Sequence, residues 1–328
     1  MTDPLAPGYA VRPARPDDAE AVHALVVASD IAEFGESDFS IERLRDDWQG
    51  RDLERDILVA TAPDGAVIGY AWVGDRRHVR IDVEVYVHPT HFGRGIGTAL
   101  VRRAEARARE HVPLAPPEAR VVVHNWINAL NANACSLLER EGYAPVRYFW
   151  RMETELAEPP PAAAWPAGIA VRPFVPGRDE RTAYATVEEA FADHWGHVPR
   201  TYEEWAKHRF GASFDPALWF LALAGDQPAG AALCSVSEGI GWVDTLAVRR
   251  PWRRRGLGAA LLRHAFAEFF QRGIRRVALG VDAASPTGAT RLYEGAGMKV
   301  AQQYATYGKE LRPGVELAEA EEDDDGAE

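Results

Sequence analysis

Arg253-Arg254-Arg255-Gly256-Leu257-Gly258 sits between two hydrophobic segments. Before it runs Gly241-Trp242-Val243-Asp244-Thr245-Leu246-Ala247-Val248, whose apolar and β-branched content predicts a buried strand. After it runs Ala259-Ala260-Leu261-Leu262-Arg263-His264-Ala265-Phe266, which predicts the start of a helix. The stretch is therefore a basic, glycine-bearing turn from strand to helix. The first N–H groups of a helix have no partner within it, and the helix dipole is positive there. Glycine lets a ligand approach the backbone closely. Such a turn suits an anion, and a phosphate-bearing cofactor is the natural occupant.

Working outward, the same landmarks occur twice. Gly8-Tyr9-Ala10-Val11-Arg12-Pro13 returns as Gly168-Ile169-Ala170-Val171-Arg172-Pro173. Gly69, Gly95 and Gly97 return as Gly230, Gly256 and Gly258. A shift of about 160 residues held over the chain means duplication of a whole domain rather than a solenoid. Residues 1–157 form the first expected domain and 168–312 the second. A semi-rigid Pro/Ala linker over 158–167 and an acidic, solvated tail over 313–328 complete the division. Each copy reads as a short strand, helical stretches, a hairpin, a further strand, the glycine turn with its helix, a fifth strand, a last helix and a closing strand. In the first copy the helical stretches are 17–29 and 40–49, the glycine-turn helix 98–111 and the fifth strand 120–124. The closing strands are expected at 147–153 and 303–311, each ending its own copy. Strands alternating with helices after an antiparallel start predict an α/β fold, a mixed and mostly antiparallel sheet flanked by helices, in tandem.

The 328 residues suffice for two cores. There is no apolar run long enough for a membrane span, and Met1 to Tyr9 lacks the features of a secretory signal. Two cysteines, Cys135 and Cys234, suggest neither a disulfide framework nor a zinc site, so a cytoplasmic protein is the expectation. The net charge of −12 argues against nucleic acid. Eight acids and one arginine fall after residue 310, so the remainder is only mildly acidic. That balance suits a cationic amine.

The order of strand, glycine turn, helix, strand and last helix resembles the GNAT acetyltransferase family. The second copy carries the turn motif in full, Arg253-x-x-Gly256-x-Gly258, and the helix ending Tyr293-Glu294-Gly295-Ala296-Gly297-Met298. The resemblance covers nearly the whole chain, twice, and it implies acetyl-CoA as cosubstrate. It places the pyrophosphate on Arg253, Arg254, Arg255, Gly256, Leu257, Gly258 and Ala259. The pantetheine arm would lie beside Leu246 and Val248, with the Leu246 N–H polarising the acetyl carbonyl. Tyr293 matches the family's general acid, core packing being its alternative role. Asp244 is the candidate base, perturbed from the family pattern because Trp242 stands where several members have Glu; a structural or substrate-binding role is the alternative.

The first copy departs from the pattern. Its turn is Phe92-Gly93-Arg94-Gly95-Ile96-Gly97-Thr98, with Phe92 in place of the leading Arg or Gln. Leu138 occupies the tyrosine position and has no proton to give. The resemblance still implies cofactor contacts at Val85, Val87, Gly93, Arg94, Gly95, Gly97 and Thr98, and Asp82 and Glu84 lie on the preceding strand. This domain is expected to be noncatalytic, binding cofactor or bracing its neighbour. The expected reaction is N-acetylation of a small-molecule or peptide amine in the C-terminal domain. The competing class is a noncatalytic acyl-CoA-binding regulator. Glu188 to Gly196 is a candidate acceptor wrapper, helix-end packing of His194 and Trp195 being the simpler alternative, and His194 and His197 make no expected metal site. The segment from His124 to Asn133 is expected to turn and cap the chain after the fifth strand, contact with cofactor or substrate being the alternative.

Overall fold

The computed structural model describes residues 5–316 apart from His208, Ala212, Ser213 and Pro286. The acidic run expected as a tail lies outside the described residues from 317 onward. Residues 313–316 do not begin a free tail: Val315 bridges Ala119, and Glu316 pairs with Arg120 at 2.6 Å.

The chain divides into two compact units, residues 1–148 with 303–328, and residues 149–302. In chain order the elements up to the first closing strand are β1 (Ala10–Pro13), α1 (Ala19–Phe34), α2 (Ile41–Trp48), α3 (Leu53–Asp56), β2 (Ile57–Thr61), β3 (Val67–Arg76), β4 (Arg80–Val87), α4 (Ile96–Arg109), β5 (Val121–Asn128), α5 (Ala132–Arg140) and β6 (Ala144–Glu155). There follow β7 (Ile169–Pro173), α6 (Glu180–Phe191), α7 (Tyr202–Lys207), β8 (Trp219–Ala224), β9 (Gln227–Ser237), β10 (Ile240–Val248), α8 (Leu257–Gln271), β11 (Arg276–Asp282), α9 (Ala289–Gly295) and β12 (Lys299–Arg312). Both copies thus have the expected α/β order. Helix α1 runs past the expected end at Ser29 until Gly35, left-handed at φ 83°, stops it. Helix α2 starts where Ser40 accepts from the Arg43 N–H, the usual N-cap arrangement.

The closing strands correct the sequence reading. The Phe149–Glu155 part of β6 pairs antiparallel with β11, and β12 from Tyr304 to Arg312 pairs antiparallel with β5. Each unit is completed by the other copy's closing strand. Two copies of one fold present similar open edges, so the sequence pattern does not distinguish own pairing from exchange. The N-terminal sheet runs β1, β2, β3, β4, β5, β12; the C-terminal one runs β7, β8, β9, β10, β11, β6. Within each, the parallel pair is β4 with β5 and β10 with β11.

That parallel pair opens toward the glycine turn. Its ladder ends at Val83↔Asn125 in the first unit and at Trp242↔Ala278 in the second. Beyond those points β4 continues to Val87 and β10 to Val248. Beneath the sheet of the second unit, Leu257, Leu261, Phe266 and Phe269 of α8 pack with Phe220, Leu279 and Met152. Burial of such side chains is worth roughly 1.5–3 kcal/mol each and fixes α8 under the opening.

The repeated Val-Arg-Pro is also explained. Arg12 donates to both oxygens of Asp18 at 2.7 and 2.8 Å, and Arg172 to both oxygens of Asp179 at 2.5 and 2.9 Å. In each copy the arginine of the first strand clamps the carboxylate that precedes the first helix.

Candidate active site

In the second unit Gly256 is the N-cap of α8, left-handed at φ 84°, with no side-chain cap. The first N–H groups of α8 therefore face outward without a capping side chain, as an anion cradle requires. Gly258 is needed for a different reason. A Cβ there would lie 3.0 Å from Leu292 Cδ1 and 3.7 Å from Val248 Cγ2. The close approach sets α8 against β10 and against α9, where Leu292 is followed by Tyr293. The first unit repeats this: Gly95 caps α4 at φ 78°, and a Cβ on Gly97 would lie 3.1 Å from Leu137 Cδ1 and 3.7 Å from Val87 Cγ2. The matched contacts place Leu138 where the second unit has Tyr293.

The basic residues of the cradle behave individually. Arg253 donates to the Ala190 carbonyl at 2.9 Å, to Asp193 at 3.0 Å and to the Val248 carbonyl at 3.3 Å. It docks the end of α6 onto the end of β10. Arg254 adopts φ 59° where the first unit has Gly93 at φ 75°. Arg255 lies over the Trp252 ring at 5.2 Å. In the first unit Arg94 is turned onto Tyr9, 5.5 Å from its ring, and bonds its hydroxyl.

Tyr293 is 8% exposed and packs in the α8 core cluster. Burial pushes its pKa up to about 12, so it stays a phenol. Asp244 is exposed at a β-bulge between Val243 and Thr245. A bulge turns the strand locally, and it does so just before Leu246, whose side chain, like that of Val248, packs partly buried on the core. The sequence pattern gave no sign of Arg209. It donates to Thr245 Oγ1 at 3.1 Å and faces the charge of Asp244, while burial lowers its own pKa.

The acids of the expected acceptor wrapper are held by cations. Glu188 pairs with Arg200 at 3.1 Å and His197 at 3.5 Å, Glu189 with Arg249, and Asp193 with Arg250 and Arg253. His194 packs on Phe191, with ring centroids 4.3 Å apart, and Trp195 on Phe149.

The first unit contains a cavity of about 890 Å³. Val85, Val87, Gly93, Gly95, Gly97 and Thr98 line one part; Tyr70, Trp72, Glu84 and Tyr86 line another. Glu84 accepts from the Tyr86 hydroxyl at 2.9 Å, and burial raises its pKa above the usual carboxylate value. Asp82, two residues earlier, behaves oppositely: burial opposes its charge, yet Arg80 and Arg76 hold its pKa low. Asn125, Trp126 and Asn128 belong to β5 rather than following it, because β12 extends the ladder through them. Asn128 and Asn131 do turn and cap the chain, accepting from the N–H groups of Leu130 and Ala134.

The fold also brings together a set that linear spacing hid. The ligating atoms of Asp75, His78 and His111 lie within 4.8 Å of one another, with the two histidine Nδ1 atoms 2.8 Å apart. Nitrogen and carboxylate donors of this kind suit a transition-metal ion. The set joins the β3–β4 hairpin to the end of α4, at the opposite end of β4 from the glycine turn.

Two α/β units, each with parting parallel strands above an uncapped, glycine-opened helix, define an acyl-CoA-dependent transferase. The sequence model described as "Acetyltransferase (GNAT) family" matches residues 20–143 and 181–298. A mycothiol acetyltransferase of Geodermatophilus obscurus is 34% identical over 253 residues, 74% of this chain and 78% of that protein. One from Kineococcus radiotolerans is 35% identical over 255 residues, 74% and 79% of the two chains. The crystal structure of a GCN5-related N-acetyltransferase from Sphaerobacter thermophilus has 42% identity and a TM-score of 0.85, covering 96% of this chain and 99% of that one. A tandem GNAT protein from the clavulanic acid biosynthesis pathway shares the fold, with TM-score 0.68 at 16% identity over 94% of this chain and 100% of its own. The chain belongs to the GNAT acetyltransferase family, and it is an acetyl-CoA-dependent N-acetyltransferase. Among the described residues no helix is long and apolar enough to cross a membrane.

Proposed function

We propose that the C-terminal unit acetylates the primary amine of a small molecule and that the N-terminal cradle also holds acetyl-CoA. The observation that carries the C-terminal assignment is the packing of Gly258 on Leu292, which ties the anion cradle to the helix bearing Tyr293. Pyrophosphate sits on the first N–H groups of α8, with Arg254 and Arg255 adding charge. Arg253 serves the cradle by fixing its walls. The bulge at Asp244 directs the Leu246 N–H at the acetyl carbonyl, where negative charge develops. The ammonium first gives one proton to water, the freed amine nitrogen bonds to the carbonyl carbon, and the C–S bond breaks with its electron pair going to sulfur. Tyr293 protonates the departing thiolate, and the second nitrogen proton returns through solvent to the Tyr293 oxygen. Asp244 is exposed at the bulge beside the Arg209 guanidinium, and we assign it to holding the acceptor's ammonium.

The relatives named mycothiol acetyltransferase favour a small acceptor over a peptide. Thiol release from acetyl-CoA, measured over a panel of small amines and peptides, tests the assignment. Tyr293→Phe should lower kcat by about 10²-fold for the best acceptor with cofactor affinity kept. An unchanged kcat would remove Tyr293 from the chemistry.

A further inference from the structure

The hairpin between β3 and β4 meets the end of α4, and three donor atoms converge there. Asp75 Oδ2 lies 3.1 Å from His78 Nδ1 and 4.0 Å from His111 Nδ1, and the two nitrogens are 2.8 Å apart. A hydrogen bond between the imidazoles accounts for one side of this triangle only. His78 Nδ1 has a single in-plane position, either a proton or a lone pair, yet it faces both His111 and Asp75. A cation among the three donors satisfies them together. Zinc bound at about 2.0–2.1 Å in a tetrahedron holds its ligand atoms about 3.3 Å apart, and the sides of the triangle bracket that spacing. His111 is buried, while the side chains of Asp75 and His78 are partly exposed and can rotate to even out the sides.

The surroundings fit a built site. Asp75 Oδ2 also accepts from the His78 N–H at 3.2 Å, which orients the carboxylate. Neighbouring arginines are matched by other acids: Arg76 and Arg80 pair with Asp82, and Arg107 with Asp56 and Glu110. The duplication adds an internal comparison. Counted from the matched pair Gly69 and Gly230, Asp75, His78 and His111 correspond to Val236, Gly239 and Arg272. The turn is left-handed in both copies, with Arg77 and His78 at φ 49° and 61° and Glu238 and Gly239 at φ 48° and 76°. Glycine meets that requirement without steric cost, and the second unit uses it. The first unit instead holds a residue with a Cβ there and so brings an imidazole beside a carboxylate. The fold itself requires none of the three donors; the copy that has one has all.

We propose that Asp75, His78 and His111 bind one divalent transition-metal ion of the zinc class, with water in the fourth position. Two imidazole nitrogens and one carboxylate oxygen favour such an ion over calcium or magnesium, which take oxygen ligands. Each imidazole ligates through Nδ1 and keeps its proton on Nε2. The partial exposure of Asp75 and His78 leaves the fourth position open to solvent. His111 lies just beyond the end of α4, whose other end is the glycine cap Gly95. The ion therefore ties the hairpin that leads into β4 to the far end of the cradle helix. It is a structural clasp across 33 residues of chain, in a protein whose cysteines are both free.

The test uses the full chain stripped of metal by a chelator, with zinc as the probe and cobalt as its coloured substitute. Calorimetry should show one tightly bound zinc per chain, and cobalt should give the visible absorption of a four-coordinate site. Zinc at a hundredfold excess over its dissociation constant should raise Tm by roughly 5–10 °C. His78→Gly copies the residue of the second unit, so the fold is kept, and it should weaken zinc binding by about 10²-fold or more. Asp75→Asn preserves the side-chain shape and should weaken binding by about tenfold or more. In both variants the zinc-induced rise in Tm should shrink accordingly. No zinc bound at millimolar concentration overturns the site. Affinity and stoichiometry unchanged in both variants overturn it as well, by placing the ion on other histidines.

Discussion

Gly258→Ala places one methyl group at the joint between cofactor cradle and acid. The new Cβ would stand 3.0 Å from Leu292 Cδ1. Relaxed carbon–carbon contact needs about 3.5–4.0 Å, so Leu292 must retreat by roughly 0.5–1 Å. Overpacking of this kind costs about 1–3 kcal/mol, and the partial exposure of Leu292 favours the low end, about 1 kcal/mol. In a unit of this size that lowers Tm by roughly 2–4 °C. The functional cost comes from the next residue. Tyr293 shifts with its helix, and since a misplacement of about 1 Å can cost 10²-fold, kcat should fall roughly tenfold. Cofactor affinity should change less, because the cradle N–H groups precede the contact. The assays are thermal denaturation, kcat for thiol release, and acetyl-CoA titration. The mechanism is steric, so Leu292→Ala must relieve it: the double-mutant cycle should show coupling of at least about 0.5 kcal/mol. Stability within about 0.3 kcal/mol of wild type, or additive single effects, would refute the joint.

Asp179→Asn should destabilise the C-terminal unit by roughly 2 kcal/mol, since it breaks a two-pronged pair with Arg172 in which the carboxylate is 2% exposed. Hydrogen bonds from Arg172, against the opposing effect of burial, hold the Asp179 pKa below the usual carboxylate range. The stabilisation is therefore complete above about pH 4 and lost as pH falls through the lower native value, so urea midpoints of wild type and variant should converge in acid. Arg254→Gly should raise the stability by about 1 kcal/mol, because φ 59° is left-handed for a residue with a Cβ. It should also weaken acetyl-CoA binding at low salt by removing a cradle charge. No gain in stability would mean that the turn holds no strain.

The architecture was legible because it is written twice. Gly95 and Gly97 against Gly256 and Gly258 located both glycine turns, and the strands and helices around them lie within a few residues of their expected bounds. What the pattern did not show shares a cause: it concerns partners distant in sequence. Alternation marks 303–311 as a strand, but not that β5 of the other copy is its neighbour. The motif around Arg253 is local, whereas Ala190 and Asp193, which its guanidinium also holds, lie 60 or more residues away. Glu84 was visible on its strand, but its burial against Trp72 and Tyr86 depends on how the hairpin stacks. Asp75, His78 and His111 converge only once α4 has packed on the sheet.

The exchange of closing strands imposes an order on biosynthesis. Residues 149–302 emerge from the ribosome as one uninterrupted block and hold everything their own sheet requires. The N-terminal unit begins first and finishes last, because β5 receives its outer neighbour only when residues 304–312 arrive. At 5–20 residues per second that interval is on the order of 10–30 s. Throughout it an apolar strand, Val121-Val122-Val123, borders an uncovered edge of the kind that invites pairing with another nascent chain. Arrival of residues 304–312 closes that edge of the older unit after the younger one already has all its strands.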